Sequence, residues 1–473
     1  MPGGVIFLSA IGKEDSVLTG NPQITFFKNV FMRHTNFSME VIPQILHLTN
    51  IGDTSYETCS ILREGDLIHD CILEITGVKV FPHFNLQKKK NEFNIGLPEQ
   101  YGKKGICSED YAAGVPNLGT ALINWIELKI GEHVIDTHYG HWMETFNQLT
   151  IPNCHSGQRT YMDKSSDIST TNVINYQPNL FQTMTQSGGV IAHRFGTTFT
   201  NTCGENIACN DIRIPLQFWF CKNIGAALPL IAVPHHEVEI NICFNNLDGI
   251  CWGDQISITA TEQMRAKLLC NYIFLDIDER IRYTQIPHEY IIEQVQFQRE
   301  EERKCTYRLN FKHLVKELIW IGTPNRGICS QSDTNLIYNR YSGPSTPGVI
   351  TNSNLNKMVI KFNNINRFEA QSITYFTKYL VNQYHTGQGS RGIIHKTSSY
   401  VSKHSLPLPR IAVYSFAIKP ENHQPSGICN FNSIAEAELC FDDNKTSMNG
   451  LYIYAISYNI LQFVDGQARL LYT

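Results

Sequence analysis

Leu122-Ile123-Asn124-Trp125-Ile126-Glu127-Leu128-Lys129-Ile130 runs into Gly131-Glu132 and then into His133-Val134-Ile135-Asp136. Ile126, Leu128 and Ile130 fall on one side of an extended chain, and Glu127 and Lys129 on the other. That period of two is the mark of a half-buried strand. Gly-Glu between two such runs is a turn, because glycine enters positive φ without a Cβ clash. The stretch predicts a hairpin of Leu122–Ile130 and His133–Asp136. Just beyond it, Trp142, Phe146 and Leu149 recur at helical spacing, so one short helix is expected around His141–Leu149.

Outward from this hairpin the chain repeats the strand signal and almost never the helical one. Strands are expected at Leu67–Ile75, Ile214–Cys221, Glu237–Phe244, Leu269–Leu275, Glu289–Gln298, Leu314–Ile321, Met358–Phe362, Ile411–Ile418, Ala435–Phe441 and Leu451–Leu461. Many short strands punctuated by Gly, Pro and Asn indicate an all-β sandwich or barrel. Three polar connections, Phe81–Leu118, Pro152–Asn210 and Gly322–Asn356, are longer than ordinary loops and read as exposed insertions.

A chain of 473 residues exceeds one comfortable core, so two domains are expected. Its 42% hydrophobic and 17% charged residues are those of a globular protein. A formal net charge of -4 offers no general attraction to nucleic acid. The 14 cysteines are dispersed without any C-x-x-C pair, and in a reducing compartment they serve as small buried apolar residues. Val5–Ala10 is too short for a secretory leader and lacks a basic region before it. Ile212–Val233 is the most apolar long stretch, but Pro215, Lys222, Asn223 and Pro229 interrupt it. It reads as two buried strands joined at Asn223–Gly225 rather than as a membrane helix. A soluble protein is expected.

Several constellations suggest chemistry and are outweighed by plainer readings. Gly387-Gln388-Gly389-Ser390-Arg391-Gly392 fits a dinucleotide pattern, but no helix is expected after it, so it reads as a flexible exposed loop. His133, His138 and His141, or His235 and His236 with Glu237, supply zinc-ligand types. The first set is split between a strand and a helix, and neighbours on a strand point to opposite faces. Asp276, Asp278 and Glu279 offer carboxylates on a spacing that puts two of them on one side of a strand, where Arg280 and Arg282 neutralise them locally. Lys88, Lys89, Lys90, Lys103 and Lys104 read as a solvated insertion. Asn36-Phe37-Ser38 and Asn444-Lys445-Thr446 are glycosylation sequons by pattern only. No catalytic, cofactor-binding or metal-binding residue is assigned.

The chain also echoes itself. Leu228-Pro229-Leu230-Ile231-Ala232-Val233 returns as Leu408-Pro409-Arg410-Ile411-Ala412-Val413, and Tyr272-Ile273-Phe274 returns at the matching offset as Tyr452-Ile453-Tyr454. A duplicated domain with its seam near Thr284–His288 accounts for both echoes. A jelly roll, eight strands in two sheets with long end loops, suits each half.

Leu18-Thr19-Gly20-Asn21-Pro22-Gln23-Ile24-Thr25-Phe26-Phe27-Lys28, followed by Arg33-His34-Thr35-Asn36-Phe37, resembles the opening signature of major capsid proteins of nucleocytoplasmic large DNA viruses. Ile135–Trp142, Pro215–Cys221 with Leu228–Ala232, Asp276–Arg280 with His288–Tyr290, and Lys419–Gly427 are similar to later segments of that family. The resemblance implies an all-β fold of two tandem eight-stranded antiparallel jelly rolls with long inserted loops. It implies an N-terminal extension over 1–24, a first roll over 25–285 and a second over 286–473. It further implies a homotrimeric, pseudo-hexagonal capsomer tiling an icosahedral shell around double-stranded DNA, assembled in the host cytoplasm and resident in the virion. Expected partners are neighbouring capsomers and minor capsid, cement and penton proteins. Contact with an inner membrane would pass through minor proteins, and no direct nucleic-acid contact is expected. The family supplies no catalytic residues or cofactors. The alternative reading is a minor capsid or vertex paralogue, or a host-attachment, glycan-binding jelly roll.

Overall fold

The computed structural model describes residues 3–46, 56–76, 118–152, 212–245, 265–300, 304–324, 357–389, 411–442 and 448–472, apart from 11, 30 and 388. It also describes short pieces at 79–82, 113–114, 181, 184–185, 207–208, 251–252 and 256–259. Most of the three polar insertions, the second sequon, Leu408–Arg410 and Ser390–Gly392 lie outside these residues. Residues Met1–Phe37 form a unit of their own, carrying the helices Gly3–Ser9 and Ser16–Thr19.

The opening hairpin is present. The strands Phe37–Leu46 (β1), Tyr56–Ser60 (β2) and Leu67–Thr76 (β3) precede Ile123–Ile130 (β4) and His133–Tyr139 (β5). Ile126, Leu128 and Ile130 are buried as the alternation requires, and Gly131 turns at φ +60°. Asn241 donates to Glu127, and Lys129 reaches Glu239 at 3.3 Å, so the polar face of β4 is satisfied across the sheet. Leu122 ends a short helix, Leu118–Leu122, and β4 begins one residue later.

Ile212–Pro215 with the bridge Leu228–Pro229 (β6), Val238–Phe244 (β7) and Arg265–Leu275 (β8) complete a set of eight. One sheet has the order β1-β8-β3-β6 and the other β2-β7-β4-β5. The set repeats along the chain. It continues as His288–Glu300 (β9), Thr306–Arg308 (β10), Leu314–Pro324 (β11), Lys357–Phe362 (β12), Ile365–Asn366 (β13), Ala412–Ser415 (β14), Ala437–Phe441 (β15) and Met448–Val464 (β16). These pair in the orders β9-β16-β11-β14 and β10-β15-β12-β13, the same permutation advanced by eight. The pairings among β2–β16 are antiparallel. Two jelly rolls follow each other along the chain, and Gln467–Leu470 (β17) adds a hairpin to β16.

Two expectations need correction. Ile214–Cys221 is not one strand: pairing stops at Pro215, and Trp219–Lys222 forms a helical turn. Phe218, Trp219 and Phe220 are all buried, which alternation on a two-faced strand could not achieve with one face open to water. The stretch beyond Asn223 is likewise a single bridge flanked by 3-10 turns rather than a strand. Asp276, Asp278 and Glu279 lie not on a strand but at the start of the helix Ile277–Gln285. Asp276 caps it by accepting from the Ile277 amide at 2.7 Å, and the other two occupy its first turn, where the helix dipole favours negative charge. Arg280 pairs with Asp66 of the loop before β3, 3.1 Å away, rather than with its sequence neighbours.

The sheet β9-β16-β11-β14 is buried on both faces. Along β16, Tyr452, Tyr454 and Ile456 join the core of the first roll, while Leu451, Ile453 and Ala455 join a second core confined to the second roll. Ile319 and Ile321 of β11 join the first core, and Leu318 and Trp320 the second. A sheet shared in this way must be apolar on both faces, which is why β16 reads as a nearly continuous hydrophobic run.

Candidate functional site at the junction of the two jelly rolls

The helix Gly140–Thr150 (α1) follows β5 directly, and most of its residues are buried. Its first turn presents His141 and Trp142 to the shared sheet. His141 stacks on Tyr139 at 5.2 Å and lies 4.8 Å from Phe297 and 5.0 Å from Tyr452, while its Nδ1 pairs with the Tyr454 hydroxyl. Trp142 packs 5.0 Å from the Tyr454 ring. Burial pushes the His141 pKa down to about 3, with the Arg299 charge adding to it, so the imidazole is neutral. A neutral ring can fill an aromatic socket without the cost of a desolvated charge.

Charged groups cross the same junction. Glu293 of β9 is paired with Lys316 of β11 and lies 3.5 Å from Lys222, at the end of the helical turn of the first roll. Burial alone would raise the Glu293 pKa, yet the two lysines outweigh it and hold the carboxyl below its ordinary range. Nearby, His385 is clamped between Glu317 (Nε2 to Oε1, 2.7 Å) and Glu421 (Nδ1 to Oε1, 3.1 Å). Burial opposes its charge, but the two carboxylates prevail and lift its pKa to about 9. Imidazolium is therefore the form present at neutral pH.

The segment after His385 returns to the first roll through its backbone. Gly387 donates to the Leu149 carbonyl at 2.6 Å, Gly389 donates to Gln148 at 3.0 Å, and the Thr386 hydroxyl donates to Thr150 at 2.6 Å. These carbonyls belong to the last turn of α1, which has no partners inside the helix. Gly387 has no room for a side chain: a Cβ would lie 2.4 Å from the Gln148 oxygen. The reading of the G-x-G segment as a flexible exposed loop is thus corrected, because Gly387 and Gly389 are buried and cap a helix of the other roll.

The candidate zinc ligands do not converge. His133 is exposed on β5, His138 lies 2.8 Å from Asp136 and stacks on Phe218, and His141 sits in its aromatic socket. His236 accepts from the Ala468 amide at 3.2 Å, while His235 lies against Gly466, so this pair seats the β16–β17 hairpin. No group of three or more metal-ligating side chains is suitably placed among the described residues. The residues that do the work at the junction, Lys222, Glu293, Lys316, Glu317, His385 and Glu421, carry no local sequence signal. The signal of α1 was visible in its periodicity, but its role as a bridge was not.

Comparison with known proteins gives this architecture a family. Residues 25–276 match the family profile "Major capsid protein N-terminus", and residues 279–469 match "Large eukaryotic DNA virus major capsid protein". The major capsid protein of Pyramimonas orientalis virus is 33% identical over the whole of both chains. That of Paramecium bursaria Chlorella virus 1 is 28% identical, again over the whole of both. The crystal structure of PBCV-1 VP54 superposes with a TM-score of 0.64 at 25% identity, covering 95% of this chain and 100% of the other. The Faustovirus major capsid protein shares the fold at a TM-score of 0.61 and 11% identity, with 93% of each chain covered. With both profiles matched in order along two jelly rolls of one strand permutation, the chain belongs to the major capsid proteins of large eukaryotic DNA viruses, structural and non-enzymatic proteins that form the icosahedral shell.

Proposed function

We propose that the chain acts as a homotrimer whose three copies form one pseudo-hexagonal capsomer. The observation that carries the reading is the shared permutation of β1–β8 and β9–β16. Each chain brings two units of one shape, so a threefold axis arranges six of them around a ring. The buried junction supports the same reading, because a lattice tile must hold its two halves at a fixed angle. The rolls divide in this proposal as 25–285 and 286–473, with 1–24 as an extension. Neighbouring capsomers and minor capsid, cement and penton proteins are its partners, and assembly takes place in the host cytoplasm. Any contact with an inner membrane runs through minor proteins. Direct contact with the genome is not part of the proposal, in keeping with a net charge of -4.

The test is the mass of the purified protein in solution by light scattering, with negative-stain imaging of the same sample. The expected species has three times the 53.8 kDa of the chain and a six-sided outline. A monomer at micromolar concentration, with no capsomer-like particles, overturns the trimer. Quantifying the chain in purified virions separates a bulk shell protein, which dominates the particle mass, from a vertex paralogue, which does not.

A further inference from the structure

Cysteine is the residue type that the shell role leaves unexplained, and four thiols gather in the first roll. Cys71 on β3 and Cys270 on β8 are directly opposed partners in the ladder of the two central strands of their sheet. Both are fully buried, and their Sγ atoms are 3.7 Å apart. The Cys71 carbonyl accepts from the Leu216 amide at 2.9 Å, on the side of β3 away from β8. In an antiparallel strand the amide and carbonyl of one residue point the same way, so the Cys71–Cys270 pair is a non-hydrogen-bonded one. Such pairs have Cα atoms about 4.5 Å apart, inside the window of roughly 4.4–6.8 Å that a disulfide spans. Closing the sulfurs to about 2.05 Å needs side-chain rotation and no change of strand register.

Cys221 hydrogen-bonds the Cys71 thiol from the helical turn Trp219–Lys222 and is half-exposed. The cluster thus runs from the partly exposed Cys221, through Cys71, to the interior. Cys59 stands on β2 of the facing sheet, where burial pushes its thiol up to about 12, and it stays reduced.

We propose that Cys71 and Cys270 are a latent disulfide, closed by exchange with a small-molecule disulfide through Cys221, which staples the central strands of the first roll. The Cys221 thiolate attacks one sulfur of glutathione disulfide, forming a mixed disulfide and releasing one glutathione. Cys71 attacks the Cys221 sulfur, giving Cys71–Cys221 and releasing the second glutathione. Cys270 then attacks the Cys71 sulfur, which leaves Cys71–Cys270 and restores the Cys221 thiol. Two thiols are oxidised, one disulfide is reduced to two thiols, and every proton is accounted for. Hydrogen bonds to Cys221 and Cys270, followed by burial, hold the Cys71 thiol well above its ordinary range, so exchange is slow and gated by local opening. The pair stays reduced where glutathione is reduced and closes once the protein meets an oxidising medium.

The full-length protein, folded and in buffer without denaturant, is incubated with glutathione disulfide, quenched with an alkylating agent and mapped by non-reducing mass spectrometry. A linked Cys71–Cys270 peptide is expected, with a rise in melting temperature of roughly 2–5 °C that a reductant reverses. Cys221→Ser slows the linkage about tenfold or more, since it removes the partly exposed thiol in contact with the buried pair. Cys270→Ala halts the exchange one step earlier, at a linked Cys71–Cys221 peptide. Alkylation of both Cys71 and Cys270 after prolonged oxidation, or a link that appears only when urea is added, overturns the proposal. An unchanged rate in Cys221→Ser overturns the relay.

Discussion

Gly387→Ala adds one methyl group where the structure has no space for it. The new Cβ would stand 2.4 Å from the Gln148 oxygen and 2.5 Å from the carbonyl carbon and oxygen of Leu149. All three are backbone atoms of α1, so no rotamer change relieves the contact and the 386–389 segment must withdraw. Overpacking of this kind costs about 1–3 kcal/mol. Withdrawal also stretches the bonds from Gly387 to Leu149 and from Gly389 to Gln148, each worth about 1 kcal/mol and leaving a helix carbonyl unpaired. A loss of about 4 kcal/mol is expected. Urea unfolding followed by the fluorescence of the five tryptophans measures it, with protein concentration held fixed so that association contributes equally to both proteins. Thr386→Val is the companion variant; it removes only the hydroxyl bond to Thr150 and is expected to cost about 1 kcal/mol. If Gly387→Ala unfolds within about 0.5 kcal/mol of the unaltered protein, the capping of α1 by the second roll is not what holds this part of the junction.

Three further outcomes are expected. His385 has a folded pKa raised to about 9 from an ordinary 6.5, so its contribution is complete below pH 6.5 and is lost as the pH climbs through about 9. Chemical denaturation at pH 6 and pH 9.5 should differ by about 3 kcal/mol more in the unaltered protein than in His385→Gln. Lys316→Met leaves buried Glu293 with Lys222 alone and is expected to cost about 3–5 kcal/mol by the same urea assay. Trp142→Ala empties a fully buried position between α1 and Tyr454, and should lower stability by about 3–5 kcal/mol in the same measurement.

The strands were legible wherever one face meets the core and the other meets water or polar partners. Ile126, Leu128 and Ile130 against Glu127 and Lys129 is such a case, and the hairpin and its turn follow from it. Legibility failed where burial is complete on all sides. Phe218-Trp219-Phe220 carries no period, because every side chain there is enclosed, so a helical turn has the same apolar run as a buried strand. It failed in the opposite way at Ile277–Gln285, a helix with no buried residue and so no apolar stripe; its one clue was the cluster Asp276, Asp278 and Glu279 at its start. The junction was beyond reach for another reason. Gly387 meets Leu149, and Lys222 meets Glu293, across long intervals of chain that no local pattern can connect. Two glycines spaced for a nucleotide loop and two spaced for close backbone approach look the same until the opposing helix is seen.

The sheet with a core on each face has a mechanical meaning for a shell. β9-β16-β11-β14 is a party wall: if either roll melts, one full apolar face of the other meets water. Melting of the first roll would strip Tyr452, Tyr454 and Ile456, and melting of the second would strip Trp142 of α1. Half-unfolded subunits are therefore penalised twice, and the two rolls lose structure together in one cooperative transition. A particle assembled from very many copies gains from such all-or-none behaviour, since a chain with one loose roll would offer open strand edges to its neighbours and seed disordered aggregates. Quality control of the tile is built into the wall that joins its halves.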